Sequence, residues 1–183
     1  MMMMMMRTMT KNKMTMVSKM HKVSKSAKTN KRNMHKVTKT IITSPHIYKP
    51  VGPYSQAILT NNTLYISGVL GLDAQAKMVC GIEEQTKQVM ENMKHVLKAG
   101  GASLESVIKT TILLARIEDF PVVNKIYGCY FKKHSPARAT FQVGKLPLGA
   151  DVEIEAIALS GDLEIKEGAG DSCSQPDPCS RKC

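Results

Sequence analysis

The first 40 residues restrict what this chain can fold into. They contain eleven of its fourteen methionines, six of them consecutive, and no acidic residue. A low-complexity segment of this kind cannot bury enough apolar surface to offset the entropy lost on ordering it. We therefore predict a disordered basic tail over residues 1–38 and a second disordered tail over residues 166–183, which are rich in Gly, Pro, Ser and Asp. The folded domain is expected over residues 39–165.

The positive charge of the chain is concentrated near its N-terminus. Residues 1–50 contain twelve Lys and Arg and no acidic residue, whereas residues 51–183 contain fourteen basic and fifteen acidic residues, a balance of −1. A nearly neutral body argues against a nucleic-acid groove on the folded surface, so RNA binding would have to use the tail. No apolar run reaches the ~18 residues of a membrane span. We expect a cytoplasmic protein, with mitochondrial import as the alternative because the tail is basic and hydroxyl-rich.

The body combines strand-like and helix-like patterns. An apolar stripe predicts a helix over residues 82–99, which Gly100–Gly101 would end, and a second helix is predicted over residues 120–132. Asn61–Asn62 is a predicted hairpin turn, because Asn tolerates a positive φ. Short β-rich runs predict strands over residues 55–60, 63–67, 107–115, 139–143 and 152–159. This order predicts an α+β layer with both helices packed on one face of the sheet.

One arginine and two glutamates are the candidate functional side chains of the last two strands. Glu153 and Glu155 are two residues apart, so they point to the same face of their strand. Burial of that face would be costly unless both carboxylates were paired or hydrogen-bonded. The physics of the sequence alone favours an exposed face, on which Arg138 forms a surface pair with one of the two acids. A ligand site built around these charges is the alternative.

Several short motifs share one order along residues 39–163. They are Gly52-Pro53-Tyr54-Ser55-Gln56-Ala57, Ile82-Glu83-Glu84-Gln85-Thr86, Asn92, Val123-Asn124-Lys125-Ile126-Tyr127, Pro136-Ala137-Arg138 and Glu153-Ile154-Glu155-Ala156. In this combination the chain resembles the Rid proteins, the reactive-intermediate deaminases also called the YjgF family. The resemblance implies a chorismate-mutase-like α+β fold and a homotrimer with active sites in the clefts between subunits.

The resemblance also implies a reaction. Rid proteins hydrolyse 2-iminopropanoate and 2-iminobutanoate, which form from the enamines released by dehydratases acting on serine and threonine, to 2-keto acids and ammonia. We expect neither a metal nor an organic cofactor, because an imine is already electrophilic. Arg138 would hold the substrate carboxylate through two parallel hydrogen bonds. Glu153 would activate the attacking water as a general base, and the hydroxyl of Thr140 would help to hold that water.

Three further residues complete the expected site. Tyr54 would close the cleft and assist proton transfer, and Ser67 and Gly68 would supply backbone contacts to the substrate. Arg138 and Glu153 are expected to come from neighbouring strands and to meet at one water-sized gap at a subunit boundary. The assignment requires their side chains to lie on the same side of the sheet.

The chain departs from the family pattern in three segments. Val69 follows Ser67-Gly68 where relatives have Gln, so a polar side chain near the cleft is expected to be lost. Residues 76–81 replace a turn that often carries two glycines, which should strain the loop. Ile47-Tyr48-Lys49-Pro50 replaces the usual Ala-Pro-x-Ala-Ile run. Two alternatives to catalysis stay open: a non-catalytic ligand-binding or regulatory trimer, and RNA cleavage with inhibition of translation.

Overall fold

The computed structural model describes residues 36–168, and every element below lies in the compact unit that begins at Val37. The elements in chain order are β1 (Lys39–Ile42), β2 (Ala57–Thr60), β3 (Thr63–Leu70), α1 (Ile82–Ala99), β4 (Val107–Leu114), α2 (Phe120–Tyr130), β5 (Ala137–Gln142) and β6 (Val152–Leu159). The predicted α+β class is confirmed. The predicted tails over residues 1–38 and 166–183 lie almost entirely outside the described residues. Neither described helix is long and apolar enough to cross a membrane.

The six strands form one mixed sheet in the order β1-β2-β3-β6-β4-β5. All neighbours are antiparallel except β4 and β5, which are parallel and are connected through α2. Because β6 returns between β3 and β4, the strand β4 separates β5 from β6. The expectation that the two closing strands are neighbours is therefore wrong.

The β2–β3 hairpin has the predicted two-residue turn. Asn61 and Asn62 have φ values of 50° and 69°, and Thr60 pairs directly with Thr63. Positive φ at both central residues matches the twist of the flanking strands, which is why Asn suits these positions. Beyond the turn, β3 does not end at Ser67 as predicted but continues through a β-bulge to Leu70.

The two faces of the sheet have different surroundings. Both helices pack on one side, which we call the helix face, and the other side is the open face. Strand β6 alternates between them: Val152, Ile154, Ala156 and Ala158 are buried on the helix face, whereas Glu153, Glu155, Ile157 and Leu159 lie on the open face. From α1, the side chains of Val89, Met93, Val96 and Leu97 fill the helix-face core.

Buried amide side chains connect α1 to the ends of two strands. The Oε1 atom of Gln85 accepts from the backbone N–H of Asp151 at 2.8 Å, and Nε2 donates to the carboxylate of Asp151 at 3.0 Å. The Nδ2 group of Asn92 donates to the carbonyls of Leu70 and Leu72. Since a buried backbone group without a partner is costly, these amides fix the ends of β3 and β6, between which the candidate site lies.

Candidate active site

Glu153 is a partly buried carboxylate on the open face. Burial raises its pKa above the ordinary value of a glutamate, and the negative charge of Glu155 raises it further. Within β6 the two residues alternate with buried apolar side chains, which is why both carboxylates emerge on the same face. A carboxyl group with a raised pKa is closer to the proton affinity that a general base needs near neutral pH.

The β-bulge in β3 provides the surface against which the Glu153 carboxylate packs. Ser67 and Gly68 both lie opposite Glu155 in the pairing of β3 with β6, between the regular pairs of Ile66 and Val69. A Cβ atom added to Gly68 would overlap Oε1 of Glu153 and lie only 2.6 Å from its Cδ atom. Gly68 therefore creates the space that this carboxylate occupies.

The segment around Tyr54 is attached to the same bulge. The Ser67 hydroxyl donates to the carbonyl of Ser55 at 2.7 Å, and its backbone N–H donates to the carbonyl of Gln56 at 3.1 Å. The Tyr54 side chain is partly exposed, and its hydroxyl accepts from the backbone N–H of Val51. The Ser67 side chain thus fixes the loop that carries Tyr54, a role that the sequence did not indicate.

Arg138 lies on the helix face of the edge strand β5. Its guanidinium is 4.9 Å from the ring centroid of Tyr127 and 5.7 Å from that of Phe120, both on α2. The Tyr127 hydroxyl is 2.7 Å from that of Thr110, which fixes the aromatic ring beneath the cation. Thr140 follows Arg138 by two residues and shares its face. Among residues 36–168, Arg138 forms no ion pair with a carboxylate, so the expected pairing with a strand glutamate is wrong.

Within one chain, Arg138 and Glu153 lie on opposite faces of the sheet. Arg138 pairs with Thr110 on β4, whereas Glu153 pairs with Leu113 on the same strand. Positions an odd number of residues apart on a strand face opposite sides, and Thr110 is buried under α2. The expectation that both side chains lie on the same side of the sheet is therefore wrong for a single subunit. Only groups contributed by different subunits could bring the two together.

The departures from the family pattern have different consequences. Val69 is buried and pairs with Ile154 on the helix face, so its side chain belongs to the core and not to the cleft, contrary to expectation. Ala76 has a φ of 62°, a conformation that favours glycine, and the expected loop strain is present there. The Asp73 carboxylate accepts from the backbone N–H groups of Gln75 and Lys77 and holds the turn closed.

The remaining polar features of the open face include a shallow cavity of about 270 Å³ beside Tyr65, Lys109, Thr111 and Glu155. In the described part of the chain, no group of three or more His, Cys, Asp or Glu side chains is arranged to hold a metal ion. Tyr127 is the supporting residue that the sequence reasoning missed. The signal that could have identified it is the Val123-Asn124-Lys125-Ile126-Tyr127 motif, which ends at this residue.

Comparison with known proteins agrees with this architecture. A sequence model of the family described as endoribonuclease L-PSP matches residues 44–160. The chain is 50% identical over 115 residues to the human 2-iminobutanoate/2-iminopropanoate deaminase, covering 62% of this chain and 84% of the human protein. It is 56% identical over 110 residues to reactive intermediate deaminase A of Arabidopsis thaliana, described as chloroplastic, covering 59% of each protein.

A solved structure gives the same result. The crystal structure of RidA from the Antarctic bacterium Psychrobacter is 40% identical, with a TM-score of 0.64, covering 66% of this chain and 98% of that protein. The region that the family model matches spans the five strands β2 to β6 and both helices, and β1 lies before it. This chain belongs to the endoribonuclease L-PSP family, which is the YjgF or Rid family.

Proposed function

We propose that this protein hydrolyses reactive 2-imino acids and their enamine tautomers, such as 2-iminopropanoate and 2-iminobutanoate, to 2-keto acids and ammonia. The observation that carries the proposal is the Glu153 carboxylate, which is partly buried over Gly68 and has a raised pKa. The deaminase names of relatives that share about half of the aligned residues support the same reaction.

Glu153 is the general base of the proposed reaction. It takes a proton from a water molecule as the water oxygen bonds to C2 of the imine, the electrons of the C=N double bond move to the nitrogen, and the carboxyl returns that proton to the nitrogen, which gives an amine. The carboxylate then takes the proton of the new C2 hydroxyl as the carbonyl forms and gives it to the amine as the C–N bond breaks. One water is consumed and one ammonia leaves, so the reaction itself needs no redox partner.

Arg138 is the substrate anchor, and we propose that it acts across a subunit boundary. Its planar guanidinium matches a carboxylate through two parallel hydrogen bonds, while the rings of Tyr127 and Phe120 hold it from one side. Because Arg138 and Glu153 of one chain lie on opposite faces, a site that uses both must combine Arg138 of one subunit with Glu153 of the next. Thr140 accompanies Arg138, whereas Ser67, Gly68 and Tyr54 accompany Glu153.

A homotrimer is the assembly that we propose for this composite site. The open face exposes 55% of Phe141, 49% of Tyr65 and 37% of Leu159. Apolar side chains concentrated on one side of a sheet are typical of a surface that another copy covers. Covering the open face would also exclude water from Glu153, which would raise its pKa further.

Ammonia release is the direct test of the reaction. A serine or threonine dehydratase generates the enamine in the cuvette, and ammonia is measured with and without this protein. We expect a protein-dependent acceleration over spontaneous hydrolysis. No acceleration, with a correctly assembled protein, would contradict the enzyme and leave the ligand-binding or regulatory trimer.

RNA cleavage is the competing function, because the family is described as an endoribonuclease. The charge distribution favours the basic N-terminal region as the segment that would bind RNA. Removing residues 1–36, which lie before the compact unit that carries the sheet, separates the two functions. Imine hydrolysis should survive the deletion, and RNA binding in a filter-binding assay should be lost.

We propose a cytoplasmic location, with import into mitochondria as the alternative that the basic N-terminal region suggests. Fluorescent fusions of the full chain and of the chain without residues 1–36 distinguish the two. Diffuse fluorescence from both supports the cytoplasm, whereas organelle fluorescence that is lost on deletion supports import.

A further inference from the structure

Tyr48 is a buried phenol in the segment before Gly52 where this chain departs from the family pattern. Only 4% of the residue is exposed. Its carbonyl accepts a hydrogen bond from Nε2 of Gln56 at 3.0 Å, and Gln56 also binds the backbone of Ser44. The Tyr48 backbone and ring therefore occupy a fixed position beside β3.

The hydroxyl of Tyr48 completes β3 at a point where its neighbouring strand has ended. The pairing of β2 with β3 stops at Ala57 and Ile66, so the next residues of β3 lack a strand partner on that edge. The Tyr48 oxygen accepts the backbone N–H of Leu70 at 2.9 Å. Since a buried N–H without an acceptor is costly, this hydroxyl takes the place of a missing strand.

Leu70 is the residue of β3 that lies directly opposite Glu153 in β6. The Tyr48 hydroxyl therefore holds one end of the bulged segment, and Ser67 holds the other end through Ser55 and Gln56. Between these two attachments lies Gly68, over which the Glu153 carboxylate packs.

Tyr48 and Glu153 are also electrostatically coupled. Burial raises the pKa of Tyr48 to about 12; the hydrogen bond from Leu70 lowers it, and the charges of Tyr54 and Glu153 add smaller increases. The phenol is therefore neutral at physiological pH, and it interacts with Glu153 as a dipole rather than as a charge.

We propose that Tyr48 is a positioning residue for Glu153. The Tyr48 hydroxyl holds the bulge in β3, so that the Glu153 carboxylate stays packed and shielded from water. The inference rests on the proposed function of Glu153 as the general base. The inference assigns a role to Tyr48, which lies in the segment where this chain differs from the usual Ala-Pro-x-Ala-Ile run. That usual run contains no tyrosine.

The test compares Tyr48→Phe with Tyr130→Phe. Each change removes one hydrogen-bonded hydroxyl, and the Tyr130 hydroxyl binds Glu91 on α1, away from Glu153. We expect Tyr48→Phe to lower kcat by about 10- to 100-fold with KM nearly unchanged, because a misplaced base slows the chemical step. The acid limb of its pH profile should move to lower pH as water reaches Glu153. Tyr130→Phe should leave both quantities unchanged.

Two measurements separate failure of this inference from failure of the proposed function. The Glu153 carboxyl carbon is titrated by NMR in both variants and the wild type, with Glu153→Gln identifying its signal. A lower pKa in Tyr48→Phe is expected even if no imine is hydrolysed, and an unchanged pKa overturns the inference. In the wild type, the Leu70 N–H should exchange slowly with solvent, and rapid exchange overturns the inference without any variant.

Discussion

The helix face and the open face of the sheet differ in how far a single chain completes them. On the helix face, the buried side chains of α1 fill the space over β6, and amides such as Gln85 and Asn92 satisfy the backbone at the strand ends. On the open face, Tyr65 and Phe141 remain exposed beside the carboxylates of Glu153 and Glu155. The difference indicates that one chain builds its own core, whereas its proposed active site needs another copy.

The largest effect should follow from the loss of the substrate anchor. Arg138→Ala removes the guanidinium that would orient the carboxylate, so ammonia release should fall to the spontaneous rate. Arg116→Ala is the matched control, because the Arg116 side chain pairs with Asp119 and has no role in the site. The trimer should persist in both variants by light scattering. Near-normal turnover in Arg138→Ala would contradict the assignment of Arg138, and with it the helix face, to the active site.

The general base should give the next largest effect. Glu153→Gln keeps the shape of the side chain but cannot accept a proton, so kcat should fall by about 10²–10⁴-fold. Glu155→Gln is the neighbouring control, since it removes a like charge and should lower the pKa of Glu153 without removing the base.

The pH dependence has a definite sign. Because burial raises the pKa of Glu153, the carboxylate form is lost as pH falls through that raised value. The acid limb of kcat/KM should therefore lie above the ~4.3 of an unperturbed glutamate, and it should move down in Glu155→Gln. An acid limb at the pKa of an unperturbed glutamate in the assembled protein would mean that water still reaches Glu153 on the open face.

Substitution of two isoleucines of β6, one on each face, compares how much the two faces contribute to the free energy of unfolding. Ile154→Ala on the helix face leaves a cavity in the core and should lower the free energy of unfolding by about 2–5 kcal/mol. Ile157→Ala on the open face, where the side chain is only partly buried, should cost less and should mainly weaken assembly. Denaturation at several protein concentrations measures both effects, and equal losses independent of concentration would contradict the distinction.

The smallest effect concerns a turn away from both faces. Ala76 adopts a φ of 62°, which a glycine accepts without strain. Ala76→Gly should therefore raise the free energy of unfolding by about 1 kcal/mol, the approximate cost of this conformation for an alanine. Ala74→Gly, in the same turn, should give no such gain. Destabilisation by Ala76→Gly would show that the flexibility gained in the unfolded chain outweighs the relieved strain.

The sequence predicted the elements with strong periodicity and missed those that depend on pairing. Helix α1 and the Asn61–Asn62 turn carry their own local signals, and both were found where predicted. Strand β1 was missed, because four residues at a sheet edge have no local pattern apart from their pairing with β2. The bulge at Ser67–Gly68 was missed for the same reason, since register is a property of two strands.

The site was predictable residue by residue but not in its arrangement. Family motifs identified Arg138 and Glu153, yet their faces depend on β4, which inserts between β5 and β6. Chain order alone suggested that these strands are neighbours. The hydrogen bond from Leu70 to Tyr48 likewise joins positions 22 residues apart and leaves no periodic signal.

Subunit mixing tests the composite site most directly. Arg138→Ala and Glu153→Gln subunits are produced together with different tags, and mixed trimers are isolated and assayed for ammonia release. Each mixed trimer has one boundary out of three that joins an intact Arg138 to an intact Glu153, so about one third of wild-type activity per trimer should return. Mixed trimers as inactive as either variant alone would contradict a site shared between subunits.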